Sequence, residues 1–268
     1  MGTALPAEVL IINQGKFHLV ESAIKLFRLQ QSTPIVHCSQ PPRGLSAARN
    51  LATNQANCPI IAFTDDDCVP DPNWLAHIER MLISNPIADA VTGSIQPLES
   101  GHPGEFPISI RTGRKGMKFQ GRTMPWHVGS GGNFAIRRTW LFLVGGFDER
   151  LGAGSPGKAA EDTDLFYRLL RADAVIQYEP ELVIYHERQD ATRLIRSFWN
   201  YSYGIGAFSA KHARKGDPYA AYMLCVWLFW LVWRTASSIL RRNRIYAGEG
   251  LLSIRGCRHG LAYGFRLR

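Results

Sequence analysis

Three consecutive carboxylates, Asp65, Asp66 and Asp67, follow a short apolar run. The run at Pro59–Phe63 is typical of a buried strand. Because side chains alternate along an extended chain, Asp65 and Asp67 are expected to share one side. Like charges this close repel each other unless a positive group lies between them. The cations Mg²⁺ and Mn²⁺ suit that position, because they prefer oxygen ligands such as carboxylates and substrate phosphates. The turn therefore predicts a divalent-cation site, and a solvated acidic turn before Pro70 is the alternative.

Three later segments carry residue types that suit a ligand site. Glu161, Asp162 and Asp164 fall in the first turn of a predicted amphipathic helix, where acids also complement the helix dipole. The glycine-rich stretch Gly129–Gly132 permits close approach of the backbone to a ligand. His186 ends a short predicted strand, and an ordinary strand-end histidine is the alternative there.

Strands and helices alternate along the first hundred residues. Apolar runs at Glu8–Ile12, Pro34–Cys38, Ile60–Phe63 and Ala88–Ile95 are separated by segments with helical spacing. This alternation predicts an α/β fold with a mostly parallel sheet flanked by helices. Acids at the carboxyl end of a strand then lie where open α/β sheets bind ligands. Residues 97–125 are rich in Gly, Pro and basic residues, which predicts a long loop whose basic side chains meet either a phosphate or solvent.

Six motifs occur in order between about residues 7 and 203. They are Gly44-Leu45-Ser46-Ala47-Ala48-Arg49-Asn50, Phe63-Thr64-Asp65-Asp66-Asp67-Cys68-Val69-Pro70-Asp71 with Trp74-Leu75, Gly131-Gly132-Asn133-Phe134-Ala135-Ile136-Arg137-Arg138, Gly145-Gly146-Phe147-Asp148-Glu149, Glu161-Asp162-Thr163-Asp164-Leu165 and Tyr185-His186. Each motif is modest by itself, and six in one order are specific. In this order they resemble the family 2 glycosyltransferases of the GT-A fold, which is Rossmann-like.

The resemblance implies an enzyme that moves a sugar from a nucleotide-diphosphate donor to an acceptor hydroxyl, with Mg²⁺ or Mn²⁺ as cofactor. Asp65 and Asp67 match the acids of the family's DxD motif, and His186 falls where many members place a histidine near the metal. These three are the predicted metal ligands. Asp162 matches the general base of inverting members, and Glu161 or Asp164 is the alternative base.

The resemblance also implies contacts with the nucleotide-sugar donor. The predicted donor-binding residues are Asn13, Arg49, Asp65, Asp66, Gly131, Gly132, Asn133 and Glu161. Arg49 is expected either to reach the nucleotide or to help hold the acidic cluster. Asn13 stands where many members have an Asp that contacts the base, and its amide still accepts a hydrogen bond but carries no charge.

The chain departs from the family at its start. Members usually begin with one more strand and helix, whereas this sequence starts near Glu8 at what resembles the family's second strand. The expectation is an N-terminally shortened domain that lacks this first strand-helix unit and has an open sheet edge. A truncated, non-catalytic copy is therefore the alternative function.

The composition is that of a folded protein from a reduced compartment. With 46% hydrophobic and 20% charged residues, the chain is globular and not disordered. The five cysteines are scattered and form no CxxC pair, which argues against a disulfide framework. Residues 1–6 lack the basic and apolar regions of a signal peptide.

The C-terminal segment combines an apolar run with positive charge. Eight arginines and one acid occur from Arg234 onward, within a net charge of +9. Beside the Trp-rich run Tyr219–Trp233, this predicts an anionic membrane surface as partner, and no nucleic acid. The run covers about 22 Å as a helix, which is shorter than the roughly 30 Å hydrocarbon core, so a buried core or dimer helix is the alternative. Gly256, Gly260 and Gly264 form a stripe on which another helix can pack closely.

Together these features predict two regions, a glycosyltransferase domain at residues 1–210 and a membrane-associated helical tail at residues 211–268. The predicted location is the cytoplasmic face of the cell membrane. The predicted partners are a nucleotide-sugar donor, a glycan or lipid-linked acceptor and the membrane surface. The predicted role is cell-surface polysaccharide or glycolipid synthesis.

One other enzyme class fits the acidic turn. The residues from Asp65 to Val69 also match the DxDx(V/T) nucleophile motif of haloacid-dehalogenase-type phosphatases. In that class Asp65 would attack phosphorus and Asp67 would act as acid and base. The motif normally lies on the first strand and needs paired acids on separate strand ends.

Overall fold

The computed structural model describes residues 4–15, 17–30, 33–84, 88–99 and 103–267. The strands in these ranges are β1 (Val9–Asn13), β2 (Ile35–Ser39), β3 (Ile60–Phe63), β4 (Cys68–Pro70), β5 (Ala90–Pro97), β6 (Glu105–Phe106), β7 (Met117–Phe119), β8 (Phe134–Arg137), β9 (Ile176–His186) and β10 (Gln189–Asp190). The α-helices are α1 (Phe17–Gln30), α2 (Leu45–Gln55), α3 (Trp74–Leu82), α4 (Arg138–Leu143), α5 (Glu161–Arg171), α6 (Ala191–Arg214), α7 (Pro218–Leu240) and α8 (Arg244–Gly264). Strands β6 and β7 lie within the loop predicted at 97–125, of which residues 100–102 are outside the described ranges.

The central sheet is mixed rather than mostly parallel. Its strand order is β3-β8-β5-β9-β4, and β7 also pairs with β9. Strands β3, β5 and β9 run in one direction, because β8 is antiparallel to both β3 and β5 while β5 is parallel to β9. The α/β class is as predicted, but β8 follows a loop instead of a crossover helix and so enters the sheet antiparallel. Strands β1 and β2 form a separate parallel pair.

Apolar layers cover both faces of the central sheet. On one face the rings of Phe63, Phe134 and Phe166 pack together, with centroids 5.7 Å and 5.2 Å apart. On the other face Trp74 of α3 packs among residues of β5, β8 and β9, and Ala62 of β3 contacts this layer. Successive residues of β3 thus face opposite layers, as a strand buried on both sides requires. The acidic turn therefore begins at the end of a rigid strand.

Helices α6 and α8 pack against each other through the predicted glycine stripe. An added Cβ at Gly256 would lie 2.6 Å from the carbonyl oxygen of Trp199 on α6. Gly260 and Gly264 meet the α6 backbone at Tyr203 and Ala207 in the same way. The stripe on α8 therefore packs directly against α6, which confirms the predicted close helix packing.

Helix α6 joins the C-terminal helices to the sheet domain. It continues without interruption through residue 210, so the predicted boundary between 1–210 and 211–268 falls inside an element. Tyr167 of α5, Phe208 of α6 and Met223 of α7 belong to one buried cluster. The helices α6–α8 are thus packed on the sheet domain, and the division into two regions stays a prediction.

Helix α7 buries one side and exposes the other. Met223, Leu231 and Thr235 face α6 and α8, while Phe229 is 75% exposed and Trp233 is 60% exposed. Within the part of the chain that the structure describes, α7 is long and apolar enough to cross a membrane by length and composition alone. Such a helix by itself is weak evidence for a membrane span.

Candidate functional site

The pairing of β4 with β9 fixes the acidic turn. Cys68 at the start of β4 lies opposite His186 at the end of β9. The Glu187 amide donates a hydrogen bond to the carbonyl oxygen of Asp67 at 2.9 Å. The backbone is therefore held on both sides of Asp67, and its carboxylate lies at the same sheet edge as the His186 ring.

The three acids of the turn have different surroundings. Asp66 is exposed to solvent. Asp65 Oδ1 accepts a hydrogen bond from Arg49 Nη2 at 2.6 Å, whereas Asp67 Oδ2 lies 3.6 Å from His186 Nε2. Of the three predicted metal ligands, the structure brings Asp67 and His186 together, and Asp65 is paired with Arg49 instead.

Asp67 and His186 face each other as two hydrogen-bond acceptors. His186 Nδ1 lies 2.7 Å from the carbonyl oxygen of Glu187, which can only accept, so Nδ1 carries the hydrogen. In the neutral ring Nε2 is then an acceptor, and it points toward a carboxylate that is also an acceptor. A cation between them satisfies both groups, so this donor pair fits a divalent ion.

Arg49 links the acidic turn to the start of α5. Its buried guanidinium donates to Asp65 and, through Nη1, to Glu161 Oε1 at 3.2 Å, and it lies 5.4 Å from the centroid of the Phe147 ring. Burial acts to lower the pKa of Arg49, but the charges of Asp65, Glu161 and Asp162 outweigh it and raise the pKa. Arg49 is therefore a permanent cation among three carboxylates of the site.

Backbone donors orient the carboxylate of Asp162. Its Oδ1 accepts from the Thr163 amide at 2.6 Å, and its Oδ2 accepts from the Gly131 amide at 2.9 Å. Glu161 and Asp162 begin helix α5 after the left-handed residue Ala160. The phosphatase alternative requires paired acids at strand ends, and these two acids do not meet that requirement.

Gly131 and Gly132 leave room for the charged side chains of the site. An added Cβ at Gly131 would lie 2.5 Å from Arg49 Nη1, and one at Gly132 would lie 2.6 Å from Asp65 Oδ2. Any larger residue would push Arg49 or Asp65 away from its partner. The glycine stretch therefore lets the acidic turn and the start of α5 meet over its backbone.

Glu161 has an unusual pKa for a carboxylic acid. Burial raises the pKa of Glu161 to about 7, and the neighbouring charge of Asp162 adds to this, whereas Arg49 acts to lower it. Near neutral pH the Glu161 side chain therefore exchanges between its neutral and charged forms.

The two asparagines predicted to contact the donor have different roles. Asn13 at the end of β1 is buried, its Oδ1 accepts from the Gly15 amide at 2.9 Å, and its Nδ2 has no hydrogen-bond partner among the described residues. Asn133 is fully buried, donates from Nδ2 to the carbonyl oxygens of Ser94 and Leu182, and accepts from Trp74 at 2.8 Å. Asn133 ties sheet and helix together, so its predicted donor contact does not fit the structure, whereas Asn13 keeps a free donor.

Sequence reasoning missed a second group of residues beside the acids. Tyr201 of α6 donates to or accepts from Ser109 Oγ at 2.9 Å. Although Tyr201 is 46% exposed, its hydroxyl group is desolvated, which raises the pKa of Tyr201, and the nearby charge of Asp162 raises it further. Arg111, one of the basic residues of the loop predicted at 97–125, donates to the carbonyl oxygen of His127 at 2.7 Å. Helix α6 shows no motif that would have marked Tyr201.

Asp164 belongs to a separate buried ionic cluster. Its carboxylate accepts from Lys211 at 2.5 Å, His212 at 2.7 Å and Arg168 at 2.8 Å. Burial opposes its charge, but these three partners hold the pKa of Asp164 far below its usual range. A cavity of about 440 Å³ lies beside this cluster, and Lys211 there is already shared with Asp148. Asp164 is therefore a structural residue, and its prediction as an alternative base is wrong.

A family model matches most of the chain. The model, described as glycosyltransferase-like family 2, covers residues 5–223. This range contains the acidic turn, the glycine stretch, the start of α5 and His186.

Curated relatives of low identity are named as glycosyltransferases. The chain is 24% identical over 211 residues to a glucosyl-dolichyl phosphate glucuronosyltransferase from Haloferax volcanii, covering 74% of this chain and 66% of that protein. It is 26% identical over 186 residues to a pre-mycofactocin glycosyltransferase from Mycobacterium tuberculosis, covering 66% of this chain and 37% of that protein. The chain thus spans from about a third to just under two thirds of the length of these relatives.

Solved structures share the fold. A mannosyltransferase from Pyrobaculum calidifontis, in complex with GDP-Man and Mn²⁺, matches with a TM-score of 0.61 at 14% identity, covering 97% of this chain and 78% of that one. S. aureus TarS 1–349 in complex with UDP matches with a TM-score of 0.53 at 14% identity, covering 75% and 57%. The central sheet with its flanking helices is thus the GT-A fold, as the motifs predicted. By the match of its sequence over residues 5–223, the chain belongs to the glycosyltransferase-like family 2.

Proposed function

We propose that this protein transfers a sugar from a nucleotide-diphosphate donor to an acceptor hydroxyl, with inversion at the anomeric carbon. The observation that carries the proposal is the convergence of two distant acidic segments on Arg49. Asp65 lies 2.6 Å from one nitrogen of its guanidinium and Glu161 lies 3.2 Å from another. Two sets of carboxylates beside one permanent cation suit a reaction that needs a metal-bound diphosphate and a base.

The donor side of the site is the edge with Asp67 and His186. We propose that these two residues hold Mg²⁺ or Mn²⁺, with Asp65 near the ion and the ribose. The ion, when bound, offsets the negative charge that grows on the leaving diphosphate. Support for a divalent ion comes from the acceptor pair itself and from structural neighbours that were solved with Mn²⁺.

The remaining donor contacts come from Asn13, Arg49, Asp66 and the Gly131–Gly132 backbone. The free Nδ2 of Asn13 is suited to donate to a carbonyl of the nucleotide base. Arg49 keeps Asp65 in place and adds positive charge close to the phosphates. Asn133 is left out of this set because its amide is already fully bonded in the scaffold.

The acceptor side of the site is formed by Asp162. In the transfer step the acceptor oxygen bonds to the anomeric carbon, and the bond from that carbon to the diphosphate breaks with its electron pair leaving on the nucleotide. The acceptor hydroxyl gives its proton to the Asp162 carboxylate. The amides of Gly131 and Thr163 hold that carboxylate in one orientation before the reaction, which reduces the cost of positioning it.

The same chain is proposed to act at the cytoplasmic face of the membrane on a glycan or lipid-linked acceptor, in polysaccharide or glycolipid synthesis. The support is the exposed apolar side of α7, with Phe229 and Trp233, and the exposed Arg241 and Arg242 that follow it. An apolar surface bordered by arginines suits an anionic lipid surface.

We propose that α7 lies in the membrane interface instead of crossing the bilayer. Its other side packs against α6 and α8, and α8 carries Arg255, Arg258 and His259 on exposed positions. A spanning α7 would carry these charged helices into hydrocarbon, which costs several kcal/mol. Binding from solution to preformed anionic vesicles tests this. A Phe229→Glu/Trp233→Glu variant is expected to lose that binding, while Leu143→Glu, at a similarly exposed apolar residue on α4, should keep it.

Calorimetric binding of UDP and GDP, with and without Mn²⁺, tests the proposed transfer reaction. Metal-dependent binding by wild type that disappears in Asp67→Ala and persists in Glu79→Ala, an exposed acid on α3, is the expected result. Absence of any nucleotide binding by folded protein would favour the alternative of a non-catalytic copy. If UDP or GDP binds, a screen of sugar donors that carry that nucleotide would identify the donor.

A further inference from the structure

A third donor atom lies beside Asp67 and His186. The antiparallel register of β4 and β9 sets Cys68 directly opposite His186, a pairing that brings Cβ atoms to about 4.5–5.5 Å. One ligand atom from each of Asp67, Cys68 and His186 can be chosen so that all three lie within 4.8 Å of one another. The pairing of β4 with β9 therefore places the Cys68 sulfur and the His186 ring close to the Asp67 carboxylate.

The carboxylate of Asp67 lies between the other two groups. Its Oδ2 is 3.6 Å from His186 Nε2, and its Oδ1 is 3.7 Å from Cys68 Sγ. His186 is held by the hydrogen bond from Nδ1 to the Glu187 carbonyl, so its Nε2 is the ring nitrogen directed toward Asp67. Cys68 is partly buried, and its thiol donates a hydrogen bond to the Asp67 carboxylate, so its sulfur lies close to both other groups.

These three donors have different preferences for metal ions. Carboxylates suit Mg²⁺ and Mn²⁺, imidazole suits Zn²⁺ and other late first-row ions, and thiolate selects thiophilic ions such as Zn²⁺. Asp67 and His186 alone leave the choice of ion open. A sulfur in the same space changes the balance, because a thiolate gains little from Mg²⁺ and much from Zn²⁺ or Co²⁺.

We propose that Cys68 is a third side-chain ligand of the ion held by Asp67 and His186, and that it shifts the selectivity of this site toward thiophilic divalent ions. The inference rests on the proposed function, since this ion would be the one that meets the donor diphosphate. On binding, the S–H bond breaks, the proton passes to solvent and the sulfur bonds to the ion, with no change of oxidation state. Zn²⁺ and Co²⁺ are therefore expected to compete with Mn²⁺ and Mg²⁺ at the site.

Co²⁺ is the probe that tests this ligand, because sulfur bonded to Co²⁺ gives a charge-transfer absorption band in the near ultraviolet that oxygen and nitrogen ligands do not. The full chain is titrated with Co²⁺, alone and with GDP or UDP. Wild type and the control Cys58→Ser are expected to show the band. Cys68→Ser is expected to bind Co²⁺ without it, and circular dichroism checks that the variant is folded.

Competition between ions gives a second readout. Cys68→Ser is expected to weaken Zn²⁺ binding by about tenfold or more, because losing a direct ligand should cost at least as much as losing an outer-shell partner. Mn²⁺ binding should change much less, since Mn²⁺ gains more from the oxygen of Asp67. The ratio of the two affinities therefore shifts toward Mn²⁺ in the variant.

The outcomes separate this proposal from the proposed function. Co²⁺ binding that needs Asp67 but shows no sulfur band, or an unchanged ratio of Zn²⁺ to Mn²⁺ affinity in Cys68→Ser, would overturn the role of Cys68 and leave the divalent site in place. A band that survives in Cys68→Ser and disappears in Cys58→Ser would likewise overturn it. If no state of the folded protein binds Co²⁺, the cysteine ligand and the proposed metal site both fail.

Discussion

Two acidic clusters lie on either side of the first turn of α5, and their charge balance is opposite. Glu161 and Asp162 face Asp65, with Arg49 as the permanent cation in their contacts within the described ranges. Asp164, two residues further on, faces three cationic or basic side chains, Lys211, His212 and Arg168. The first cluster has more acids than cations, whereas in the second every acid is matched by cationic or basic partners inside the protein.

The partners of a buried acid, and not its burial alone, decide the direction in which its pKa shifts. Glu161 and Asp164 are both buried, and burial by itself would raise the pKa of each. The pKa of Glu161 does rise, to about 7, because Asp162 adds to the effect of burial. The pKa of Asp164 falls because its three partners outweigh burial. An acid surplus is what a site for a cation and a proton requires.

Among the substitutions in the two clusters, Asp162→Asn is expected to have the largest effect on transfer. Asp162→Asn removes the proposed base but keeps an acceptor for the Gly131 amide, so the donor should still bind. Transfer is expected to fall by about 10²–10⁴-fold, which is the usual contribution of a general base. Single-turnover transfer with a bound donor measures the loss. Full turnover in Asp162→Asn would show that another group accepts the proton.

The matching change in the other cluster is Asp164→Asn. It leaves Lys211 and Arg168 buried or half-buried without their shared carboxylate, which is expected to cost about 3–5 kcal/mol of unfolding free energy. Urea unfolding measures this value. Asp162→Asn is the control, and it should lose less, about 1–2 kcal/mol, because its amide oxygen still accepts one of the two backbone hydrogen bonds. Equal losses in the two variants would mean that the clusters do not differ in the way their contacts indicate.

The two clusters also predict opposite responses to pH. Glu161 has a folded pKa of about 7 against 4.5 unfolded, so the folded state binds the extra proton and stability falls as pH rises from about 4.5 to 7. Asp148 and Asp164 have folded pKa values below 3.8, so the stability they give is present above that pH and is lost as pH falls below it.

Glu161→Gln isolates the first of these responses. It should flatten the fall in stability between pH 4.5 and 7 by an amount on the order of 1–3 kcal/mol, and leave the loss at acid pH unchanged. Urea unfolding from below pH 3.8 to above pH 7 measures both pH responses, with Glu79→Gln, at an exposed acid, as the control. A slope that stays the same in Glu161→Gln would assign the proton uptake to another group.

The sequence predicted the members of the acid-rich cluster better than their contacts. The positions of the acidic turn, the glycine stretch and the start of α5 followed from strand ends, glycine patterns and helix periodicity, which are local signals. The separation of Asp164 from Asp162 depends on Lys211 and His212, which lie almost fifty residues away on a helix without a motif. No local pattern carries that information.

The same limit explains the misplaced features of the fold. The antiparallel entry of β8 depends on which neighbours it meets in the sheet, and its four residues Phe134–Arg137 are as apolar as a parallel strand would be. Asn133 was predicted to contact the donor because it lies in the motif Gly131–Arg138 that resembles the family. Its amide is instead bonded to Ser94, Leu182 and Trp74, which come together only when the sheet and α3 have packed.

Added Mn²⁺ should also distinguish the two clusters, and this is the smallest of the expected effects. The acid-rich cluster should gain stability from Mn²⁺, whereas the matched cluster should not. At a Mn²⁺ concentration ten times the dissociation constant, binding to the folded state adds about 1.4 kcal/mol. For a chain of this size that raises the unfolding temperature by about 3–6 °C. Differential scanning calorimetry with and without Mn²⁺ measures the shift.

Asp67→Ala and Asp164→Asn should differ in both their unfolding temperature and its shift with Mn²⁺. Asp67→Ala should unfold near the wild-type temperature and lose the Mn²⁺ shift, because its partly exposed carboxylate contributes to the ion site more than to packing. Asp164→Asn should unfold at a clearly lower temperature and keep the shift, because its cluster takes no part in holding the ion. If Asp67→Ala kept the Mn²⁺ shift, the ion would have to bind outside the acidic turn. A different cation would then have to balance the excess of acids around Arg49.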